Sequence, residues 1–491
     1  MMQSRMRFLT ESEIAELKEK VGRFLSERGV ELQHPGMLAK LAEAGAQVDR
    51  SSGLVRFPLK LQEQALQSVP LSFSLSSPSS GDAPGSGKTA AALSVPHPKS
   101  GFYICTGTGG RGYLDPETGK YRPLTLTDVR TWGRLAGALE HIDLCAFPTP
   151  TDAPPETVDV HSLAALLGST TKHVWIQPHT EQTLPYLFEL CAVRAGGKEN
   201  LKGHPLASII ACSLTPFRFK SMDIEVILQA CDYGLPVHLS SLPVIGGTSP
   251  ITTVGTVLTA AIEVLAMVIM TQIEKPGHPV FALATALAMD MRSGRAVKAC
   301  PEALQANALG AQFLTEAYRL SVHTAGLTSD TFATDGQAMV EHSLYGLMVA
   351  AAGAAVLGRA GELEAAKTFS PLQLIVDDEI AAALGRLRQL QGELSLAEQS
   401  TAWEDILAVS PGGHFLETEH TLRHCREVFQ PRLFVRQSRD AWTAEGEKTL
   451  IDRTRDRFRE LLDGTGLSDR ASATIEAMER IVAEADRALV Q

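Results

Sequence analysis

Pro236-Val237-His238-Leu239-Ser240, Gly246-Gly247-Thr248-Ser249-Pro250, an apolar run over 252–273, Pro276-Gly277-His278-Pro279 and Val280-Phe281-Ala282-Leu283 follow one another, and their order decides the fold. The two short apolar runs have strand length and are bounded by Gly and Pro, whereas the run between them is far too long for a strand and reads as a helix. Strand, helix and strand in that order make a parallel crossover, because a tight turn cannot join parallel neighbours. The helix approaches membrane-spanning length over 254–273. It carries Glu263, Thr256, Thr259 and Gln272 and stands among alternating strands, which makes it a buried helix of a layered fold rather than a span.

The same alternation extends outward in both directions, from about 101 to 385. Strand-like runs at 101–105, 142–147, 173–177, 207–212, 236–240, 279–283, 320–324 and 354–357 each lead into a helical pattern, directly or after a loop. Eight such alternations predict an α/β fold, a (β/α)8 TIM-type barrel, in preference to an open doubly wound sheet. An N-terminal helical preface and a C-terminal helical extension complete the chain. The expected divisions are an N-terminal helical region (1–70), a loop or insertion (71–100), the barrel domain (101–395) and the C-terminal extension (396–491). Thr10-Glu11-Ser12-Glu13 caps the first helix, His34-Pro35-Gly36 opens the second and Pro58-Leu59-Lys60 the third. Ser, Pro and Gly dominate 76–88, the mark of a flexible insertion. The tail either clamps the barrel or builds a dimer contact.

Charge narrows the classes of function. Lys and Arg number 45 against 56 Asp and Glu, a net charge of -11 without a basic run, so neither nucleic acid nor an anionic membrane is an expected partner. Seven cysteines are dispersed without a Cys-x-x-Cys pair, and the first 32 residues are charged and amphipathic with no signal-peptide apolar core. Both features predict a cytoplasmic protein.

Two motifs resemble well-known sites and fall short of them. Pro84-Gly85-Ser86-Gly87-Lys88-Thr89 looks like a phosphate-binding loop, but Asp82 stands where that loop needs its first Gly, and a carboxylate there repels phosphate. His420-Thr421-Leu422-Arg423-His424 has the spacing of a zinc helix, but Thr421 replaces the general-base Glu and only His414 is near as a third ligand, so no metal is expected.

A barrel builds its site at the C-terminal ends of its strands. There the sequence places Thr151-Asp152, Gln177-Pro178-His179-Thr180, Cys212-Ser213, Ser240-Ser241 with the 246–248 turn, Asp290-Met291-Arg292, and His323-Thr324-Ala325-Gly326 with Ser329-Asp330. Each has an ordinary structural alternative: Asp152 and Ser329 as helix caps, Ser240 and Thr248 as turn residues, His179 as a loop histidine. Asp335 can cap a helix that carries Gln337, Glu341 and His342, with Gln337 and Glu341 on one face.

These segments are also where the chain resembles the trimethylamine methyltransferase family. The similar elements are His34-Pro35, Asp115-Pro116-Glu117-Thr118-Gly119, Thr171-Lys172-His173, the 246–250 turn, Pro276-Gly277-His278-Pro279, the 330–337 segment, Val376-Asp377-Asp378-Glu379 and Gly412-Gly413-His414-Phe415-Leu416. Each is short; their order and spacing over nearly the whole chain are specific. The resemblance implies a corrinoid-linked (β/α)8 methyltransferase. Archaeal trimethylamine enzymes carry pyrrolysine in the segment equivalent to 330–337, where this chain has only standard residues, with Phe332, Ala333 or Thr334 nearest the position. That departure implies the branch acting on quaternary amines such as glycine betaine.

On that reading the methyl acceptor is cobalamin, a corrinoid cofactor carried by a partner protein, with no tightly bound cofactor on this chain, and the small-molecule partner is a quaternary amine. Asp330, Glu341 and Gln337 are the expected catalytic residues. Asp152, Phe332 and Tyr345 are expected to face the cation, and His179, Thr248, Arg292 and His323 the carboxylate of a betaine. Gly246, Gly247 and Ser249 are assigned to the cofactor. Apolar excess in the helices is compatible with a homo-oligomer. The rival readings are another barrel enzyme, a hydrolase or lyase with Asp330 and Glu341 as acid and base, and a non-catalytic barrel that binds or senses quaternary amines.

Overall fold

The computed structural model describes residues 6–78, 92–98, 101–393, 401–464 and 473–490. Its eight central strands are β1 (Tyr103–Thr106), β2 (Leu144–Ala146), β3 (His173–Ile176), β4 (Ala207–Cys212), β5 (Val237–Ser241), β6 (Val280–Ala284), β7 (Ser321–Ala325) and β8 (Val356–Ala360). All pair in parallel and in sequence order, and β8 pairs with β1 to close the barrel. The outer ring is α1 (Leu126–Ala138), α2 (Val158–Ser169), α3 (Leu184–Ala195), α4 (Ser221–Tyr233), α5 (Thr253–Glu274), α6 (Pro301–Tyr318), α7 (Gly336–Ala352) and α8 (Pro371–Glu393). Every strand was expected to within three residues at either end. The largest miss is β8, read as 354–357, which cut off Arg359 and the turn beyond it.

Parallel strands covered on both faces are apolar on both faces, which explains the runs in the sequence. Side chains of one face point outward to the helices. Those of the other, including Tyr103, Cys105, Leu144, Trp175, Ile210, Phe281 and Val356, fill the barrel. That inner cluster is completed by Leu75 and Val95 from outside the barrel. They belong to a hairpin, Phe73–Leu75 paired with Leu93–Val95, that plugs the N-terminal end. The plug is fastened by Ser76 N to Pro205 O (2.9 Å), by Tyr103 OH to Ser94 O (2.8 Å) and by the edge-on contact of Phe73 with Phe281 at 5.1 Å. The phosphate-loop-like segment 84–89 lies outside the described residues. The two strands that flank it stand at the N-terminal end of the barrel, away from the mouth.

α5 is apolar all round because it is covered all round. It packs on β5 and β6 inside, on α6 beside it, and under the N-terminal helices Glu11–Glu27 and Leu59–Ser68 outside. Fourteen of the eighteen residues in its most apolar window are therefore out of water, the 78 % that separates a core helix from a membrane span. The N-terminal region also holds strands the sequence did not announce, Val30–Leu32, Gln47–Asp49 and Leu54–Arg56, forming a sheet with Arg218–Phe219 from the loop after β4. Three-residue strands are too short to show a period of two. In the C-terminal extension, Leu450–Gly464 packs on α8 and α1, and Ala473–Leu489 on α2 and α3. Asp486 accepts from Thr157 Oγ1 at 2.5 Å and pairs with His161 at 3.0 Å, while Arg455 donates to Pro116 O at 3.0 Å. The tail clamps the barrel.

Candidate functional site

Beyond β1 the chain reads Gly107-Thr108-Gly109-Gly110, and beyond β8 it reads Gly361-Glu362. These two strand ends are neighbours. A Cβ on Gly107 would lie 2.0 Å from Glu362 Cγ, so only glycine admits that side chain. Glu362 is fully buried. Its Oε1 accepts from Thr108 N at 2.6 Å and from Arg359 Nη1 at 3.3 Å, whereas its Oε2 has no hydrogen-bond partner among the described residues and lies 3.7 Å from Lys298 Nζ. Lys298 enters from the loop after β6, just past the hairpin of Leu287–Asp290 and Arg295–Val297. Burial pulls its amine down to about 8, with Arg359 acting in the same direction and Glu362 and Asp330 opposing.

Arg359 has φ +83°, a left-handed backbone that costs a non-glycine residue about 1 to 2 kcal/mol. The guanidinium carbon lies 5.9 Å from the Trp175 ring centroid, and the buried Trp175 Nε1 has no hydrogen-bond partner among the described residues. The turn is fixed from behind. Asp377 Oδ2 accepts from Gly361 N at 2.6 Å, Asp377 Oδ1 pairs with His342 Nδ1 at 2.7 Å, and His342 Nε2 lies 3.2 Å from the carbonyl of Glu362.

Deeper in the barrel three histidines form a chain with Ser208. Burial holds His173 down to about 4 and His323 to about 3, and His238 well below its usual value, so all three are neutral. Neutrality fixes the direction of every bond. His173 Nδ1 donates to Ser76 O (2.7 Å), leaving its Nε2 to accept from Ser208 Oγ (3.0 Å). Ser208 Oγ accepts from His238 Nε2 (2.9 Å), and His238 Nδ1 accepts from His323 Nδ1 (3.0 Å). His323 Nε2 is thereby left as a lone pair beside Gly358, where a Cβ would come within 2.6 Å of it.

The expected site residues divide. Asp330 and Glu341 stand at the end of β7 and hold its loop together: Asp330 accepts from Lys298 N (3.0 Å) and Ala299 N (2.9 Å), and Glu341 accepts from Ser329 Oγ, Asp330 N (3.0 Å) and Gln337 Nε2 (2.8 Å). Asp335 caps α7 as expected, through Gln337 N and Ala338 N. Phe332 is 61 % exposed, with Arg295 6.0 Å from its ring centroid. His323 lies inside the barrel as described. His179 follows β3, where its amide donates to Asp159 at 2.8 Å.

Others sit in structural positions. Asp152 accepts from Leu126 N at 2.8 Å and so caps α1. Thr248 Oγ1 accepts from Val244 N, and Gly246, with φ +77°, closes the same turn by donating to Ser249 O. Gly247 belongs to that turn and Ser249 Oγ meets Thr256 Oγ1 at 2.7 Å. The Arg292 side chain is 94 % exposed and turns back on Asp290. Tyr345 corrects the expectation that it faces the mouth: it is fully buried in the helical layer, its hydroxyl bonded to Asn307 of α6. The His420 and His424 rings lie 4.5 Å apart with their planes tilted by 38°, and His424 pairs with Glu427. Glu263, from the middle of α5, is buried and ties the loop after β4 to the end of β5 by accepting from Ser213 Oγ, Thr215 Oγ1, Phe217 N and Ser241 Oγ at 2.5 to 2.8 Å.

Sequence reasoning missed Glu362, Arg359, Lys298 and Trp175. The available signal was the glycine run after β1, which announces a close approach by something.

Comparisons with known proteins agree with this architecture. The family model described as trimethylamine methyltransferase matches residues 2–488. The trimethylamine methyltransferase of Desulfitobacterium hafniense is 30 % identical over 454 residues, covering 92 % of this chain and 88 % of that protein. That of Methanosarcina barkeri is 27 % identical over 469 residues, covering 94 % and 92 %. A glycine betaine methyltransferase of Desulfitobacterium hafniense is 28 % identical over 456 residues, covering 90 % and 89 %. Among solved structures, the Methanosarcina barkeri monomethylamine methyltransferase superposes with a TM-score of 0.50 at 14 % identity, over 91 % of this chain and 92 % of that one, a likeness of fold.

Proposed function

Since the chain belongs to the trimethylamine methyltransferase family and is a methyltransferase, we propose that it moves a methyl group from a quaternary amine to the cobalt(I) of a corrinoid carried by a separate protein. The observation that carries this reading is the buried Glu362 at the base of the mouth, whose Oε2 has no hydrogen-bond partner among the described residues and whose neighbour Arg359 faces the Trp175 ring. A buried carboxylate and an aromatic ring are what a permanent cation needs in place of water.

A quaternary ammonium already holds its leaving group as a neutral tertiary amine. The C–N bonding pair returns to nitrogen as the methyl departs to cobalt, and no proton moves. The chain's own task is then to desolvate the amine and aim one N-methyl group outward. Asp330, Glu341 and Gln337 fit this division of labour as positioning residues: their polar atoms brace the loop that presents Phe332. The same bonds weigh against the hydrolase or lyase reading, because both carboxylates already accept from backbone amides.

The corrinoid supplies a cobalt(I) nucleophile when its carrier docks over the mouth. Leu214, Ile251, Met291 and Phe332, each more than 40 % exposed, follow β4, β5, β6 and β7 in turn and form an apolar rim suited to such a carrier. Seven free cysteines favour a reducing cytoplasm. The test is the visible spectrum of cob(I)alamin mixed with the protein and a panel of methylated amines. Conversion to methylcobalamin with a quaternary amine supports the reading. Calorimetric binding of such an amine without conversion replaces it by the non-catalytic amine-binding barrel.

A further inference from the structure

The charges around Glu362 do not suit a plain cation. Two cations, the partly buried Arg359 of β8 and the buried Lys298 of the loop after β6, converge on this one carboxylate at 3.3 Å and 3.7 Å. The other carboxylate nearby, Asp330, is already held by the backbone amides of Lys298 and Ala299. Among the described residues, the Arg359 guanidinium has a single side-chain hydrogen bond, long at 3.3 Å, and otherwise faces the Trp175 ring. The buried Trp175 Nε1 is a second donor without an acceptor among the described residues. Donors are therefore in excess in a place largely withdrawn from water. The backbone is held in a left-handed conformation at the residue that supplies the strongest of them, and strain of that kind persists where a site requires it.

We propose that Arg359 and Lys298, in place of the His179, Thr248, Arg292 and His323 expected from the sequence, form the receptor for the carboxylate of a betaine-type amine. This rests on the methyl-transfer reading and narrows it. Arg359 lies within β8 and Glu362 past its end, so the carboxylate enters first and meets the guanidinium, Lys298 and Trp175 Nε1. The ammonium follows and rests against Glu362, with its methyl groups toward the mouth. Positive and negative groups then alternate from the barrel outward. Without substrate, Glu362 itself serves as the anion for both cations. A quaternary amine ending in an alcohol or ester would add a third positive charge beside Arg359 and Lys298 and leave their donors unfilled, and unfilled donors are the strongest basis for rejecting an analogue.

The experiment pairs glycine betaine with choline and with the methyl ester of glycine betaine, and a longer trimethylammonium acid with the alcohol of the same length. Each is offered to the full chain with free cob(I)alamin, and methylcobalamin formation is followed by absorbance. We expect kcat/KM for at least one acid to exceed that of its uncharged counterpart by 100-fold or more, and Arg359→Gln to lower the acid alone, shrinking the ratio below about tenfold. Arg359→Lys keeps the charge, loses the fork and retains part of the preference, which separates loss of the receptor from loss of the fold. Equal use of a matched pair by the wild type, or an equal loss on both members in Arg359→Gln, overturns the receptor while leaving methyl transfer intact. Should no amine yield methylcobalamin, the proposed function falls on its own. Calorimetric binding of an acid that Arg359→Gln abolishes would still uphold the receptor, and the absence of such binding would overturn it.

Discussion

Glu263 is the buried group whose replacement has the most predictable cost. Its Oε2 accepts from three hydroxyls, Ser213 at 2.5 Å, Ser241 at 2.6 Å and Thr215 at 2.8 Å, and its Oε1 from Phe217 N at 2.8 Å. Glu263→Gln keeps the shape and can keep the bond to Phe217, but it exchanges three charge-assisted bonds for neutral ones. At about 1 kcal/mol each the loss is about 3 kcal/mol. Glu263→Ala removes the shared acceptor of four donors, of which only Ser213 Oγ keeps another, Ser240 O at 3.2 Å, and should cost about 5 kcal/mol. A 491-residue chain unfolds with an entropy of about 1 kcal/mol/K, so the melting temperature should fall by about 3 °C for Gln and about 5 °C for Ala. Differential scanning calorimetry at one scan rate reads this directly. Because the lost bonds tie together the ends of β4 and β5, methyl transfer should decline in both variants at temperatures where each is still folded. A Gln variant that melts within 1 °C of the wild type would refute the claim that the charge, and not only the shape, of Glu263 holds these loops.

Further expectations concern the mouth. Lys298 is held down to about 8, opposed by Glu362 and Asp330 and assisted by Arg359, so it loses its charge as pH rises through that value. The kcat/KM for a carboxylate-bearing amine should fall above about pH 8, and Lys298→Met should abolish that limb. The unfolded chain binds this proton up to about pH 10.5, so between 8 and 10.5 the folded state holds fewer protons and wild-type stability should rise with pH relative to Lys298→Met, by about 3 kcal/mol across the window, as followed by urea melts. At position 359 Gly and Ala remove the same contacts and differ in the left-handed backbone, so Arg359→Gly should melt about 1 °C above Arg359→Ala by calorimetry; the reverse order would remove strain from the account. Met291→Glu, on the exposed rim, should raise KM for a protein-borne corrinoid roughly tenfold while leaving turnover with free cob(I)alamin unchanged.

The barrel was legible because strands buried on both faces leave apolar runs cut off by Gly and Pro, and eight of them recur. The site was less so, for definite reasons. Lys298 looks like any loop lysine until the hairpin before it aims the chain inward, and no local pattern reports that. Arg359 fell outside a strand read three residues short, and its positive φ leaves no mark in the sequence. Glu362 was reachable in principle through the glycines opposite it. Tyr345 and Arg292 erred in the other direction. Their residue types suit a cation or a carboxylate, but one turns into the helical layer and the other into solvent. Asp152 and Thr248 took the ordinary alternatives, as cap and turn.

The three histidines inside the barrel behave as a single polarised wire. Each can point only the way its neighbour permits, and the first instruction comes from the carbonyl of Ser76, outside the barrel, on the plug. Reversing any one imidazole means reversing Ser208 and every ring between it and the floor. The hairpin therefore does more than stop a hole: it writes the orientation of His323 at the far end without touching it, and a chain trimmed at the plug would hand the mouth a ring free to present either nitrogen.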